Sequence, residues 1–118
     1  MITVEKLVLK DKVYFDTGKA TIQARSNTLL DQIATALQTH AGIKLVQVEG
    51  HTDNTGSADT NRTLSADRAK AVVDYLVKKG IAADRLKSVG FGPDKPAATN
   101  DTPAGREQNR RVEFNITR

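Results

Sequence analysis

The chain has 118 residues, the usual size of one domain, and its lack of cysteine excludes a disulfide framework, a thiolate metal site and a cysteine nucleophile. Its formal net charge is +4, but 18 basic residues are mixed with 14 acidic ones, which is ordinary for a solvated protein surface. Because aromatic residues make up only 4% and tryptophan is absent, few side chains can stack on bases, and the composition argues against nucleic-acid binding.

The first half of the chain predicts an extended segment, a turn, a helix, a buried strand and a polar loop. Their expected positions are residues 8–9 with 13–15, 16–18, 23–39, 43–49 and 50–56. The helix is indicated by apolar residues at helical spacing, with Ser26 or Thr21 as its cap. The loop is rich in residue types that form turns.

The second half predicts a long helix, a strand, a loop and a final strand. Their expected positions are residues 58–79, 86–90, 92–105 and 111–116. Ser57 is the expected cap of the long helix, and Gly80 is its expected stop. The loop contains all three prolines, and the final strand alternates apolar and polar residues.

The resulting order, β-α-β-α-β-β, predicts crossover connections and layered α/β packing in a single domain spanning residues 1–118. Ligands of such sheets bind beyond the carboxyl ends of the strands. The loop at 50–56 follows a predicted strand and precedes a predicted helix, so it is the first candidate for a binding site.

Asp53 lies within this loop and has two possible roles. Its carboxylate could bond to its own backbone and form the turn, which is a common role for aspartate in a loop. It could instead face a cleft and bind a cationic group.

Arg68 lies about three turns into the long helix, at the edge of its apolar side, with Leu64 and Val72 one turn away on either side. Such an arginine can extend its head into water, or it can pair with an anion in a cleft. Asp53 and Arg68 could bridge each other, or they could receive the ammonium and the carboxylate of one zwitterionic ligand. The planar fork of arginine suits a carboxylate.

Other chemistry is poorly supported. The sequence from Asp53 to Leu64 resembles a calcium loop, but it lacks the required glycine and the bidentate glutamate. His40 and His51 are not spaced as a metal pair, and His51 is expected to be a structural hydrogen-bonding residue rather than a proton shuttle.

Five motifs follow one another along the chain. They are Val13-Tyr14-Phe15-Asp16-Thr17-Gly18-Lys19, Gly50-His51-Thr52-Asp53-Asn54-Thr55-Gly56, Asn61 with Leu64-Ser65 and Arg68-Ala69, Gly90-Phe91-Gly92-Pro93 with Pro96, and Gly105-Arg106 with Asn109-Arg110-Arg111-Val112-Glu113. In this order they resemble the OmpA C-terminal domain family, which includes Pal-type lipoproteins and MotB-type flagellar stator anchors. The resemblance covers about residues 7–117.

The resemblance implies a mixed four-stranded sheet of order 1-4-2-3, with strand 4 antiparallel and the helices on one face. It implies non-covalent binding to the meso-diaminopimelate-containing stem peptide of peptidoglycan, with no catalytic residue, cofactor or metal. Asp53 and Arg68 match the ligand-holding pair of the family. The other pocket positions of the family correspond to Thr52, Asn61, Leu64 and Arg111, with Phe15 and Asp16 nearby.

Residues 1–6 lack a basic start followed by an apolar run, and no stretch approaches about 18 uninterrupted apolar residues, so neither a signal peptide nor a membrane span is predicted. Family domains work outside the cytoplasmic membrane. The resemblance therefore implies a part of a larger, membrane-anchored protein, periplasmic and associated with the outer membrane or wall of a Gram-negative bacterium. A peptidoglycan hydrolase using Asp53 and Glu49 as a carboxylate pair, and a basic RNA-binding module, remain alternatives.

Overall fold

A computed structural model of the chain describes residues 4–7, 9 and 11–117, in which strands and helices alternate. Their bounds are β1 (Val4–Lys6), α1 (Asn27–Thr39), β2 (Leu45–His51), α2 (Ala58–Lys78), β3 (Leu86–Gly92), α3 (Pro103–Asn109) and β4 (Arg111–Thr117). The mixed α/β fold class predicted from the sequence is confirmed. Within the described part of the chain, no helix is long and apolar enough to cross a lipid bilayer.

Three strands of seven residues, β2, β3 and β4, form the body of a mixed sheet. The three-residue β1 pairs with β4, so the described strands lie in the order β1-β4-β2-β3. β2 and β3 are parallel, whereas β4 runs antiparallel to both of its neighbours. The carboxyl ends of β2 and β3 therefore meet at one edge of the sheet, where the loop after β2 begins.

Along β2 and β4, apolar and polar side chains alternate between the two faces of the sheet, so one face is apolar and is buried against the helices. Val48 and Phe114, opposite each other in the register, are fully buried, as are Leu30 of α1 and Leu76 of α2. All four belong to one hydrophobic core. The other face of the sheet carries the polar residues of the same strands, among them Glu49, which lies opposite Glu113.

The predicted first strand is misplaced. Residues 13–15 do not form a named strand, since the backbone of this segment bonds to a loop. The Tyr14 amide donates to Ser26 Oγ over 2.8 Å, and the Gln23 amide donates to the Tyr14 carbonyl over 2.8 Å. Phe15 forms an isolated bridge with Ile22. Residues 8–9 were also expected to be extended, but residue 8 lies outside the described residues.

Several predicted boundaries also move. The helix expected from residue 23 begins at Asn27, after a 3-10 turn at Ala24–Ser26. Ser26 precedes the helix, but its hydroxyl accepts from the Tyr14 amide and does not cap the helix. β2 continues through residues 50–51, which were expected in the loop. The Ser57 cap of α2 is confirmed by the Thr60 amide, which donates to its Oγ over 3.4 Å.

The expected loop at 92–105 overlaps a short helix, α3, that was not predicted. Pro103 occupies the first turn of α3, where its missing N–H removes no helical hydrogen bond. The Thr102 hydroxyl caps the helix by accepting from the Gly105 amide over 3.0 Å. α3 brings the chain back to the start of β4 and so fixes the position of Arg110.

Candidate functional site

A cleft of about 470 Å³ opens beside the carboxyl end of β2. Its walls come from four parts of the chain: the segment 12–25, the start of the loop after β2, the first half of α2, and the end of α3. Six of the eight site residues predicted from the sequence line this cleft: Phe15, Thr52, Asp53, Asn61, Leu64 and Arg68.

The loop after β2 is ordered by its own hydrogen bonds. Asp53 Oδ1 accepts from the Thr55 amide over 2.9 Å, which is the turn-forming role considered from the sequence. Asn61, in the first turn of α2, donates from Nδ2 to the Thr55 carbonyl over 2.9 Å. Gly56 has a φ of +84°, a backbone conformation that favours glycine. The Asp53 carboxylate is thus held in a fixed position at the cleft.

The second oxygen of Asp53 pairs with an arginine that the sequence did not single out. Asp53 Oδ2 accepts from Nη1 of Arg110, while the Asp53 side chain is only 8% exposed. Burial raises the pKa of Asp53, but the amide of Thr55 and the guanidinium of Arg110 lower it more, so the pKa lies below its ordinary value. Asp53 is therefore a carboxylate at neutral pH.

Arg68 reaches the opposite wall of the cleft from the middle of α2. Its Nε donates to the Lys19 carbonyl over 2.9 Å and its Nη2 to the Asp16 carbonyl over 3.3 Å. Its guanidinium lies 5.0 Å from the centre of the Phe15 ring. The possibility that Arg68 bridges Asp53 is not realised, because Asp53 pairs with Arg110.

Arg68 remains a charged group without an acidic partner among the described residues. Burial lowers the pKa of its guanidinium, and the positive charge of Arg110 lowers that pKa further, yet an arginine stays protonated in a protein. Its Nη1 makes no hydrogen bond within the described chain and is free to donate to a ligand in the cleft.

Two predicted site residues are placed differently. Asp16 contributes its backbone carbonyl to Arg68 and is not one of the residues that line the cleft. Arg111 does not line the cleft either. It bonds to Glu113 and to the Lys95 carbonyl, and it borders a separate cavity of about 20 Å³. The reason is the alternation of β4: Val112 faces the helices, so Arg111 faces the other side of the sheet.

The cleft contains the neighbouring Arg110 instead, and a signal for it exists in the sequence. If the alternation of β4 is extended back by one residue, position 110 is expected on the same side as the buried Val112, although Arg110 itself lies just before the strand, at the end of α3. Tyr14, from the first motif, also lines the cleft, as do Lys12, Arg25 and Glu107, which no sequence pattern selects.

A second polar cluster lies on the other face of the sheet. Potential metal-ligand atoms of three residues, Glu49, His51 and Glu113, lie within 4.8 Å of one another. Among the described residues, this is the cluster of side chains that could hold a metal ion. One Glu49 oxygen already accepts from the side-chain amides of Gln47 and Asn115, over 2.8 and 2.6 Å. The other lies 3.3 Å from Nε2 of His51. His51 is thus a hydrogen-bonding residue at the end of β2, and we assign no metal to the cluster.

The comparisons with known proteins agree with these motifs. A sequence model of the OmpA family matches residues 14–110. The peptidoglycan-binding protein ArfA of Mycobacterium tuberculosis is 43% identical over 102 residues, covering 86% of this chain and 31% of ArfA. The peptidoglycan-associated lipoprotein of Mesorhizobium japonicum is 40% identical, over 86% of this chain and 60% of the lipoprotein. The chain thus spans less than two thirds of either relative.

The structure of the chain also matches that of a protein whose crystal structure is known. The crystal structure of the peptidoglycan-associated lipoprotein from Burkholderia pseudomallei superposes with a TM-score of 0.81 and 31% sequence identity. The match covers 92% of this chain and 91% of the other. The two proteins therefore share the same overall fold.

Proposed function

We propose that the chain, which belongs to the OmpA family, binds peptidoglycan non-covalently through the diaminopimelate-containing stem peptide. Binding would attach the protein that contains this domain to the cell wall. The observation that carries the proposal is that Asp53 and Arg68, a carboxylate and a guanidinium not paired with each other, line the same cleft.

The proposed ligand group is the side-chain end of diaminopimelate, which carries an ammonium and a carboxylate on one carbon. The ammonium would bind Asp53, whose Oδ2 already accepts from one donor of Arg110 and has further lone-pair capacity. The carboxylate would bind the unoccupied Nη1 side of Arg68. The ring of Phe15, beneath the guanidinium, restricts where Arg68 can move.

We propose that the cleft binds without catalysis. A hydrolase would need an activated nucleophile or an acid–base pair. The imagined partner of Asp53, Glu49, bonds to Gln47 and Asn115 on the opposite face of the sheet and does not line the cleft. Release of soluble fragments from purified sacculi would contradict this part of the proposal.

The cell envelope is the proposed location. The relatives that match include lipoproteins and a protein named for peptidoglycan binding. A domain that binds the wall must work on the outer side of the cytoplasmic membrane, and we propose the periplasm for it.

The test is co-sedimentation of the purified domain with intact sacculi, with free diaminopimelate as competitor. Wild-type protein should sediment, and the free diamino acid should displace it. Arg68→Ala should lose about 2–5 kcal/mol of binding free energy, because the ligand carboxylate keeps no charged partner. Arg68→Lys should also bind weakly, since an ammonium cannot offer two parallel donors.

The matched control is Arg62→Ala, which removes the same charge from an exposed position of the same helix. Arg62 pairs with Asp59 and Asp94 outside the cleft, so its loss should leave sedimentation unchanged. Circular dichroism should show all three variants folded. Unchanged sedimentation of a folded Arg68→Ala protein would reject the proposed site.

A further inference from the structure

The cleft carries more positive charge than the proposed ligand group can neutralise. Besides Arg68 it is lined by Lys12, Arg25 and Arg110, which we call the basic half of the cleft. Asp53 and Glu107 are the acidic residues of its walls. Four cations against two carboxylates leave an excess of two positive charges, and a zwitterionic ligand group, with no net charge, leaves that excess unchanged.

Two cations of the basic half, Lys12 and Arg25, keep N–H groups that make no hydrogen bond within the described chain. Arg25 stacks on the Tyr14 ring, 3.5 Å from its centre, and donates from Nε to Gln23 Oε1 over 2.9 Å. Its two terminal nitrogens have no hydrogen-bond partner within the described chain, and the Asp11 carboxylate acts on it electrostatically without forming an ion pair. Lys12 donates one proton to the Glu107 carbonyl over 3.0 Å and keeps two others.

These cations are not independent surface charges. Burial lowers the pKa of the Lys12 ammonium; the Glu107 carboxylate opposes that change, and the positive charge of Arg110 adds to it. Arg110 acts on Arg68 in the same direction. Like charges are therefore held close together in a partly desolvated space, where an anion would relieve their repulsion.

We propose that the basic half binds a second carboxylate of the same stem peptide, carried by a residue next to the diamino acid. This rests on the proposed function and deepens it: Lys12 and Arg25 become specificity residues for stems with a free neighbouring carboxylate. Two sources have this chemistry, the terminal carboxylate of an uncrosslinked stem and the α-carboxylate of a γ-linked glutamate. Amidation removes the negative charge from either one.

The test is titration calorimetry with three synthetic stem tetrapeptides that share the diaminopimelate residue. One has both carboxylates free, one has an amidated C-terminus, and one has an amidated glutamate α-carboxylate. Wild-type protein should bind one of the amidated peptides about three- to tenfold more weakly than the free acid, as expected for a partly exposed charge pair. The weakened peptide identifies the source of the carboxylate.

Arg25→Gln and Lys12→Gln should each weaken binding of the free acid and reduce the difference between it and that amide. Arg62→Gln, the control outside the cleft, should retain the full difference. Equal affinity of the wild type for all three peptides would overturn this inference and leave the proposed function intact. Retained discrimination in both cleft variants would also overturn it. Failure to bind any of the three would instead reject the proposed function, and this inference with it.

Discussion

Asp53 and Arg110, 57 residues apart in the chain, form a salt bridge at the wall of the cleft. The pair means that Asp53 has two separate functions, one at each oxygen. Oδ1 accepts from the Thr55 amide and shapes the loop, while Oδ2 faces a cation. A ligand ammonium would share Oδ2 with Arg110 rather than find a free carboxylate.

Asp53→Asn and Asp53→Ala should separate these two functions. Asparagine keeps the oxygen that accepts from the Thr55 amide but loses the carboxylate that pairs with Arg110, so the free energy of unfolding should fall by about 1–3 kcal/mol, as expected for a charge-assisted hydrogen bond at a mostly buried side chain. Alanine also loses the turn, at a further cost of about 0.5–1.5 kcal/mol. Both should lose binding to sacculi. Urea denaturation and co-sedimentation measure the two effects, and an asparagine variant that binds like wild type would show that the charge is not needed.

Gly50 and Gly56 bracket the loop for different reasons, so their alanine variants should differ. A Cβ at Gly50 would overlap the backbone carbonyl of Ser65 in α2, whereas a Cβ at Gly56 meets open space. Gly50→Ala should cost about 3 kcal/mol or more through a clash with rigid backbone. Gly56→Ala should cost only about 1–2 kcal/mol through its positive φ. Thermal denaturation of the two variants gives the comparison; equal losses would mean that the β2–α2 contact can relax.

Gly56→Val tests the loop as a binding element. The β-branched side chain strains the positive-φ backbone of the loop, and its Cβ would meet no neighbour, so binding to sacculi should fall more than the melting temperature does. Global unfolding of this variant would show that the loop is needed first for the fold.

His51 should make stability depend on pH. His51 is 3% exposed, and its ring stacks on Phe91 with centroids 5.4 Å apart. Burial lowers the pKa of His51 and the positive charge of Arg111 lowers it further, while Glu113 and Glu49 act in the opposite direction and do not compensate. The unfolded chain, with a histidine pKa near 6.5, therefore binds a proton at a higher pH than the folded chain does.

The sign follows from that difference. The stability associated with the neutral ring is fully present above about pH 6.5, and it is lost as the pH falls from there towards the folded pKa. His51→Gln should remove this loss, so its free energy of unfolding should change less than that of the wild type between pH 7.5 and 5.5. The control is His40→Gln, which removes a histidine at the exposed end of α1. An identical pH dependence in wild type and His51→Gln would contradict the prediction.

Most of the fold could be predicted because its elements carry strong local patterns. The alternation of Val112, Phe114 and Ile116 identified β4, and the Ser57 cap fixed the start of α2. The first strand could not be placed, because residues 13–15 have the composition of a strand and their hydrogen bonds go to Gln23 and Ser26 instead. Composition indicates that a segment is extended, but only tertiary structure decides its partner.

The site was predictable where a motif fixes it and not where the cleft collects residues from distant segments. Asp53 and Arg68 stand in the loop and the helix that the motifs mark. Lys12 and Arg25 come to the cleft from a segment with no periodic pattern, so nothing in their neighbourhood distinguishes them from surface cations. Arg110 is an intermediate case: it belongs to the Asn109-Arg110-Arg111 motif and lies just before β4, so extending the alternation of that strand by one residue suggests its side.

The proposed ligand geometry predicts discrimination between diaminopimelate-type and lysine-type stem peptides. A lysine side chain ends in an ammonium alone, so it can satisfy Asp53 but leaves Arg68 without the carboxylate that its Nη1 would bind. Leaving a partly buried charged donor unpaired is the main cost. Because the cleft is open to water, the expected difference is about tenfold to a thousandfold, or about 1–4 kcal/mol.

Titration calorimetry with two stem peptides that differ only at this residue measures the difference. The peptides should have amidated C-termini and amidated glutamate, so that no other carboxylate can reach Arg68 from the basic half of the cleft. If Arg68 instead binds a backbone or terminal carboxylate, the free-acid lysine peptide would bind as well as its diaminopimelate counterpart. Equal affinities of the amidated pair would reject the side-chain zwitterion geometry. Binding to the wall would then have to use another group of the stem, and Arg68→Ala would show whether this cleft still holds it.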